Sequence, residues 1–559
     1  MKRVVFLLFV SVFLMTYCKN ESHEKQQIKS QTSTYSNPIL QGFYPDPSIC
    51  KVNGDFYMVN STFAYFPGIP IFKSSDLVNW KQIGNVLDRP EQLNLDGLDV
   101  SSGIFAPAIN YHKGLYYLVC TLVGGENNFV VTAKNPEGPW SNPNWIPELS
   151  GIDPSLFFDK DGKSYIVYNS ESPDNKPEYD GHRTIKIYEF DLETLKVVGS
   201  AQIVINKGAK PEDKPIWIEG PHIYQENGYY YLMAAEGGTS DEHSEVVFRS
   251  KNVKGPYVSY KDNPILTQRH LDANRENPVT STGHADIIED NNGNWWGVFL
   301  GCRPYDNEGH FNTGRETFMV PVKWKNDWPI FDLEGDIVKD NYKISLAKLA
   351  TKTTSRNVDF KDEFNSNSLA FDWIFLRTPK EKWYSILNGK LKIHTRPETT
   401  SGASNPSFIG YRQKHLFGNV TTNLTFKPVS ENEKAGLIAF QNEQHYYYLC
   451  KSLKDNKPVI QLLKSKEDTL ELLIEKPLQL NTSIKLKIEA KGATYSFLFA
   501  EGENNWQLLK DTVDARFLST KVAGGFVGTI YGMYSTSLGV TCENTAEYDW
   551  FETENLNKL

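Results

Sequence analysis

The sequence predicts an all-β protein built as a five-bladed β-propeller followed by a jelly-roll, concanavalin-like β-sandwich. Three observations carry this prediction. An aromatic strand motif recurs five times at blade-sized spacing, and 559 residues are too many for a single core. Alternation with a period of two runs through both halves, whereas helical periodicity is scarce. The expected boundaries are a propeller over residues 37–340, a linker over 341–357 and a sandwich over 358–559.

The first 36 residues have the layout of an export signal. Lys2 and Arg3 precede an apolar stretch over residues 4–15 that is too short for an ordinary membrane-spanning helix, and Cys18 follows it. Residues 1–18 resemble a bacterial lipoprotein signal, with Cys18 becoming the lipidated first residue and 19–36 a polar linker. Tyr17 departs from the small residue usual before that cysteine, so ordinary secretion stays an alternative. Either route predicts export, to the periplasm or, as a lipoprotein, to the outer membrane of a bacterium.

Composition narrows the class of ligand. A net charge of −9 and a sequence pI near 5.8, with no Lys/Arg-rich run, argue against nucleic-acid binding. Aromatic residues at 13% suit short strands and surfaces on which sugars stack. The six cysteines show no CxxC spacing, which argues against a disulfide framework and against zinc. The expected partner is a neutral or small molecule, with membrane contact only through a lipid.

The repeated motif starts at a glycine and continues as an aromatic strand. Its copies begin at successive spacings of 60, 48, 66 and 65 residues, and each is followed by further strands. They read "GDFYMVN", "GLYYLVC", "GKSYIVY", "GYYYLMA" and "GNWWGVF". Several strands in each unit, arranged about an axis, make a five-bladed propeller.

A second pattern lies eight or nine residues before each of those glycines. The segments are "DPSI" at Asp46, "APAI" at Ala106, "DPSL" at Asp153, "EGPHI" at Glu219 and "HADI" at His284. Each opens the innermost strand of its blade, and innermost strands ring the axis of a propeller. Turn propensity explains why Asp-Pro occurs twice. It does not explain why Glu219 and His284 stand at the equivalent positions of two other repeats. The pattern therefore predicts that all four polar side chains face one axial cavity.

Three carboxylates in one cavity cannot be equivalent, because close like charges raise at least one pKa. A protonated acid and an ionised base are what glycoside hydrolysis requires, and a third carboxylate can orient the acid. A separation of about 6.5–9.5 Å between acid and base would leave room for water and invert the anomeric centre. The alternative of a non-catalytic, surface glycan-binding lipoprotein has little need for three mutually repelling carboxylates.

Five segments together resemble glycoside hydrolase family 43. They are "NPILQGFYPDPSI", "GIDPSLFFDKDGKSYIVY", "IEGPHIYQENGYYYLMAAEGGT", "GHADII" and "GRETFMVPVKW", and the resemblance covers roughly residues 37–328. The resemblance implies a five-bladed propeller and an inverting mechanism. It makes Asp46 the general base, Glu219 the general acid and Asp153 the residue that orients Glu219 and tunes its pKa.

The resemblance also implies supporting residues around the carboxylates. Arg315 in "TGRETF" matches an arginine that hydrogen-bonds the sugar at the floor of the pocket. His284 matches a histidine that supports the site, with a calcium ion beside it in some relatives. No cofactor is required, and calcium near His284 stays an open alternative.

Aromatic side chains are the candidates for contact with a pentose ring. They are Phe63, Tyr65, Phe66, Trp217 and Phe105. Trp217 lies two residues before Glu219 and is expected on the same side of its strand. Packing inside a blade is the alternative for each ring. Phe105 stands where many relatives have a tryptophan, which leaves the fine substrate preference open.

The C-terminal half reads as strands of period two over about two hundred residues. A propeller followed by a sandwich resembles the β-xylosidase branch of the family, in which a sandwich loop helps to close the pocket. Residues 529–534 are the expected loop. A structural cation shared by Asp362, Glu363 and Asp549 is the weaker alternative to simple surface solvation.

A capped pocket suits an exo enzyme that releases one terminal pentose. The resemblance favours β-D-xylosidase acting on xylan-derived oligosaccharides. An α-L-arabinofuranosidase, or an enzyme with both activities on xylo- and arabino-oligosaccharides, is the alternative, because the two sugars present similar hydroxyl patterns. Endo-arabinanase needs an open groove, which the added sandwich would obstruct.

Overall fold

The structure is a computed structural model that describes residues 31–346, 359–467, 469–479, 483–502 and 505–556. Cys18 and the export signal predicted over 1–18 lie outside the described residues. Short helical turns occur at Pro173–Asn175, Pro211–Asp213, Ala515–Leu518 and Thr520–Ala523. Within the described ranges, no helix is long and apolar enough to cross a bilayer.

Five four- or five-stranded antiparallel sheets form the predicted propeller, so the fold class is confirmed. Blade I consists of Ser48–Val52, Asp55–Val59, Gly68–Ser74 and Lys81–Leu87. Blade II consists of Gly103–Ile104, Ala108–His112, Leu115–Val123, Asn127–Ala133 and Asn144–Trp145. Blade III consists of Ile152–Phe158, Ser164–Glu171, Arg183–Asp191 and Lys196–Asn206. Blade IV consists of Glu219–Glu226, Tyr229–Glu236, Ser244–Ser250, Val258–Ser259 and Leu266–Thr267. Blade V consists of Thr280–Glu289, Trp295–Cys302, Glu316–Lys325 and Trp328–Phe331.

The aromatic motif is the second long strand of each blade, and its rings pack between blades. Tyr57 of blade I meets Tyr116 of blade II at 5.4 Å between ring centroids. Tyr231 of blade IV meets Trp324 of blade V at 5.0 Å. The innermost strands contact one another in order, and the first also contacts the last, which closes the ring. Edge-to-face aromatic contacts between blades thus explain why the motif recurs.

The propeller extends into the residues predicted as linkers. Gln31–Ser36 pairs with Asn341–Leu346 as an antiparallel strand pair, although residues 19–36 and 341–357 were expected to be linkers. The Asn37 amide nitrogen donates to the Met319 carbonyl at 2.8 Å, and the Met319 N–H donates to the Asn37 amide oxygen at 2.9 Å. The beginning of the propeller is thereby tied to blade V.

Two eight-stranded antiparallel sheets form the predicted sandwich. The first sheet consists of Phe360–Asp362, Tyr384–Ile386, Leu391–His394, Phe417–Thr425, Ile484–Lys491, Thr494–Glu501, Gln507–Asp514 and Thr545–Asn555. The second sheet consists of Ile374–Leu376, Phe408–Arg412, Lys434–Asn442, His445–Lys454, Lys457–Lys466, Thr469–Pro477, Ile530–Thr536 and Tyr65–Phe66. Its last member belongs to the propeller, which therefore adds a strand to the sandwich.

One expectation for the sandwich is corrected, and the weaker alternative of a shared cation gains no support. Residues 529–534 are not a pocket loop, because Ile530–Thr536 is a fully buried strand that pairs on both sides. The carboxylates considered for a shared cation each have partners of their own. Asp362 accepts from the Trp373 indole at 2.8 Å, Glu363 pairs with Lys361 at 2.9 Å, and Asp549 pairs with Lys390 at 2.8 Å.

Candidate active site

One cavity of about 600 Å³ collects all but two of the residues predicted to act on or contact the sugar. Its lining includes Asp46, Asp153, Glu219, His284, Arg315, Phe63, Phe105 and Trp217. Tyr65 and Phe66 are the exceptions, and the structure corrects the expectation that they face the sugar. Both are buried in the strand Tyr65–Phe66, which pairs with Leu376 and Phe375 of the sandwich. Neither side chain lines the cavity.

The predicted register holds because the backbone kinks at the same point in several blades. Asp46, Asp153 and His284 have φ values of 50°, 55° and 53°, a left-handed conformation that is strained for residues other than glycine. The two aspartates precede proline, which disfavours the right-handed helical region for them. The repeated Asp-Pro therefore aims a carboxylate at the axis instead of only making a turn.

In blade IV the kink falls one residue later than the register predicts. Gly220, not Glu219, takes the left-handed conformation, with φ of 56°. A Cβ at Gly220 would also lie 2.9 Å from the His284 ring, so glycine is needed for space as well. The Gly220 N–H donates to Asp153 Oδ2 at 3.2 Å. Glu219 reaches the cavity from the position before the kink.

Asp46 is surrounded by a hydroxyl and two nitrogen groups. Its Oδ2 accepts a hydrogen bond of 2.5 Å from the Ser61 hydroxyl. Its Oδ1 lies 3.7 Å from Arg315 Nη1 and 4.0 Å from His284 Nδ1. The side chain is 6% exposed, so these groups replace most of the water around the carboxylate.

Glu219 and Asp153 both hold protons more tightly than ordinary carboxyl groups. Burial raises the pKa of Glu219 to about 7, and the Asp46 charge adds to this, while Arg315 and Arg183 oppose it. Burial also raises the pKa of Asp153 well above its usual value, helped by the charges of Glu219 and Asp46. The cluster therefore carries a transferable proton near neutral pH.

His284 is neutral at that pH, because burial lowers its pKa to about 4. A neutral imidazole beside Asp46 offers one donor and one acceptor to a sugar hydroxyl. Across the part of the chain that the structure describes, no group of three or more His, Cys, Asp or Glu side chains is placed to hold a metal ion.

The sandwich contributes Phe526 to the cavity wall. Its ring centroid lies 5.7 Å from that of Phe63 and 5.8 Å from that of Phe105. Its carbonyl accepts from Arg315 Nη2 at 3.4 Å, and its N–H donates to the Ser101 hydroxyl at 3.0 Å. The loop that closes the pocket is therefore residues 524–528.

Two glycines let this loop reach the propeller. A Cβ on Gly528 would lie 2.8 Å from the Gly314 nitrogen, and a Cβ on Gly314 would lie 2.8 Å from the Gly528 Cα. No side chain fits between the two backbones. Because Arg315 follows Gly314, this contact sets Arg315 and Phe526 side by side.

Sequence reasoning missed Arg183 and Glu171, which also line the cavity. The Arg183 guanidinium carbon lies 3.8 Å above the Trp217 ring, and the guanidinium forms an ion pair with Glu171. Both residues come from a blade III hairpin that lies outside the innermost strands. The available signal was a pair of opposite charges where the two strands meet their connecting loop, because Glu171 ends one strand and Arg183 begins the next.

Comparison with known proteins places this site in a family. The family model for glycosyl hydrolases family 43 matches residues 35–329. The chain belongs to glycoside hydrolase family 43. A second model, for a beta xylosidase C-terminal concanavalin A-like domain, matches residues 361–554 of this family 43 chain. The predicted glycosidase class is confirmed.

Relatives of this family 43 protein match it over nearly its whole length. A xylosidase/arabinosidase of Butyrivibrio fibrisolvens is 39% identical, with 93% of this chain and 99% of the relative covered. A non-reducing end alpha-L-arabinofuranosidase of Bacteroides ovatus is 36% identical, with 93% and 94% covered. The crystal structure of a xylan beta-1,4-xylosidase from Bacillus halodurans has a TM-score of 0.83 and 31% identity, with 93% of this chain and 100% of that chain covered.

Proposed function

We propose that this family 43 protein is an exo-acting, inverting glycosidase that releases terminal pentoses, chiefly as a β-D-xylosidase on xylan-derived oligosaccharides. One observation carries the proposal. Asp46, Asp153 and Glu219 are all buried and line the same cavity, and Glu219 has a pKa of about 7. The names of the relatives, which include xylosidases and arabinosidases, support the pentose.

In the proposed reaction, Glu219 donates its proton to the glycosidic oxygen as the bond from that oxygen to C1 breaks. Asp46 takes a proton from a water molecule whose oxygen forms the new bond to C1 from the opposite face. Glu219 ends ionised, Asp46 ends protonated, and exchange with solvent restores both. Asp153 accepts the N–H next to Glu219 and so orients the acid. Arg315 and His284 border the terminal sugar.

The shape of the cavity supports an exo enzyme. Phe63, Phe105 and Phe526 close one side, and the carboxylates lie at the buried end. Trp217 is half-buried, and the Glu171 side chain is 50% exposed, so these residues mark the open end. A chain end enters such a site, whereas an internal segment would need two open ends.

An α-L-arabinofuranosidase, or an enzyme with both activities, is the second candidate. The Bacteroides ovatus relative is named an arabinofuranosidase, and the Butyrivibrio relative carries both names. A non-catalytic glycan-binding protein is disfavoured, because burying three carboxyl groups costs stability that binding alone does not repay.

Release of 4-nitrophenol from the aryl β-D-xyloside and the aryl α-L-arabinofuranoside tests the function. We expect Glu219→Ala and Asp46→Ala each to lower turnover by at least about a hundredfold. Glu226→Ala, at the far end of the same strand as Glu219, serves as the matched control. The Glu219→Ala loss should be smallest on the best leaving groups, and the first xylose released should be the α anomer. Equal turnover by wild type and Asp46→Ala would refute the assignment of the base.

We also propose that the protein is exported and anchored through a lipid on Cys18, with ordinary secretion as the alternative. The support is the order of charged, apolar and cysteine residues at the N-terminus. Labelling with a radioactive fatty acid should mark the wild type but not Cys18→Ala, and the variant should leave the membrane fraction. Equal labelling of the two would contradict the anchor.

A further inference from the structure

Three side chains, Glu171, Arg183 and Trp217, form a cluster at the mouth of the cavity, here called the mouth cluster. Glu171 and Arg183 are directly opposite each other in the blade III ladder and form an ion pair. The Arg183 guanidinium carbon lies over the Trp217 ring, 3.8 Å from its centre. Arg183 is therefore held by a carboxylate and by an aromatic face.

The mouth cluster is joined to the strand that carries the proposed acid. Trp217 lies two residues before Glu219. Its backbone N–H donates to the Gly181 carbonyl at 2.8 Å. The side chain of Arg183 is 16% exposed and that of Glu171 is 50% exposed, so the ion pair lies nearer to solvent than the buried carboxylates. An acid faces the leaving group, and in an exo site the leaving group lies toward the mouth. The cluster thus borders the leaving-group sugar.

We propose that Arg183 is a positioning residue for the reaction. Together with Glu171 it forms a pair of opposite charges that sets the pH range over which Glu219 delivers its proton. Arg183 also presents the Trp217 ring to the leaving-group sugar. This inference rests on the proposed function, because it takes Glu219 as the acid.

Electrostatics at Glu219 support the role. Arg183 and Arg315 both lower the pKa of Glu219, against burial and the Asp46 charge. Arg315 also contacts Asp46 and Phe526, so its replacement would disturb the floor of the site. Arg183 contacts neither. The charged and titratable groups that line the cavity with Glu219 are Asp46, Asp153, Glu171, Arg183, His284 and Arg315, and the strands packed around Glu219 also carry His222, Glu226, Glu236 and Asp286.

The test is the pH dependence of kcat/KM on xylobiose, whose alkaline limb reports the acid of the free enzyme. Arg183→Met removes a positive charge and should move the limb up by about 0.5 pH unit. Glu171→Gln removes a negative charge and should move it down by a smaller amount, because the Glu171 side chain is 50% exposed and its charge is screened by solvent. The double variant should lie between the two single variants. General loosening of the cavity would not give opposite shifts from two residues in contact.

Arg183→Lys separates charge from stacking. It keeps the positive charge, so its alkaline limb should stay close to that of the wild type. It loses the flat guanidinium that holds Trp217, so KM for xylobiose should rise severalfold while kcat changes less. Thermal unfolding of each variant shows whether it has folded.

Limbs that stay fixed, or move in the same direction in Arg183→Met and Glu171→Gln, would overturn the inference. Wild-type activity on the two aryl glycosides separates this result from failure of the proposed function. An inactive wild type would refute the function itself, whereas an active wild type with unmoved limbs would refute only the role of Arg183. If the wild type prefers arabinofuranosides, the same limbs are measured on an arabino-oligosaccharide.

Discussion

At the scale of single residues, Glu219 shows how the site trades stability for chemistry. An exposed glutamate has a pKa of about 4.3, whereas burial and Asp46 raise that of Glu219 to about 7. A group whose pKa is raised by folding favours the folded state below its unfolded pKa, and that contribution is lost as pH rises through the folded value. As the pH rises from about 4 to about 8, the free energy of unfolding therefore falls, because the folded protein keeps Glu219 protonated where the unfolded chain would ionise it.

Replacing Glu219 by a residue that cannot ionise should remove this loss of stability at high pH. Glu219→Gln cannot ionise, so we expect its Tm to exceed that of the wild type by about 2–4 °C at pH 8, with the difference shrinking as the pH falls to 5. Thermal unfolding at several pH values measures it, with Glu226→Gln on the same strand as the control that shows no such trend. A Glu219→Gln variant less stable than wild type at pH 8 would mean that the two arginines outweigh burial.

Site residues that lie at equivalent positions of the repeat could be predicted from the sequence. Site residues that reach the cavity only through tertiary contacts could not. Asp46, Asp153 and His284 share a backbone kink that the repeat marks. Glu219 was found one position out of phase, because Gly220 takes the kink in blade IV. Arg183 reaches the cavity from outside the inner strands, so no axial pattern marks it.

At the scale of elements, the loop over residues 524–528 completes a wall that the propeller leaves open. The family resemblance implies such a loop, and the turn expected near residues 529–534 was the candidate for it. That segment is instead a strand, Ile530–Thr536, held by partners on both sides. Pairing with distant strands overrides local turn propensity, and sequence spacing does not show it.

Truncating the ring on this loop should affect binding more than folding. Phe526→Ala removes a half-buried ring that stacks on Phe63 and meets Phe105 edge-to-face, so we expect kcat/KM to fall about tenfold, mainly through KM, with a small change in Tm. Phe517→Ala is the matched control, because Phe517 packs on His445 and Tyr447 within the sandwich. Equal losses of kcat/KM in the two variants would show that the sandwich acts only through stability.

At the scale of the whole molecule, the two domains share secondary structure. Tyr65–Phe66 of blade I extends a sandwich sheet through Phe375 and Leu376, and the Arg412 side chain donates to the Phe43 carbonyl at 2.8 Å. Repeat spacing and strand periodicity predicted each domain, but a two-residue strand has no period to detect. The active site therefore depends on these contacts between the propeller and the sandwich, here called the domain seam, which sequence patterns do not show.

Arg377 is the residue on which this seam can be tested. It is fully buried, donates to the Leu98 carbonyl at 2.6 Å and to the Gly402 carbonyl at 3.0 Å, and pairs with the Glu443 carboxylate. Arg377→Met leaves a carboxylate and carbonyls without their donor, a loss of about 3–5 kcal/mol. We expect calorimetry to show one transition for the wild type and a lower, split transition for the variant, in which propeller and sandwich unfold separately.

Both kcat/KM and the Tm should depend on the contacts at the domain seam. Loosening it moves the sandwich loop away from the cavity, so kcat/KM of Arg377→Met should fall at temperatures where the variant is still folded. Arg516→Met is the control, because Arg516 is exposed and its ion pair with Asp514, at 2.8 Å, is screened by solvent and contributes little to stability. Two transitions in the wild type, or full activity in folded Arg377→Met, would mean that the domains are independent and that the propeller holds the site without the sandwich.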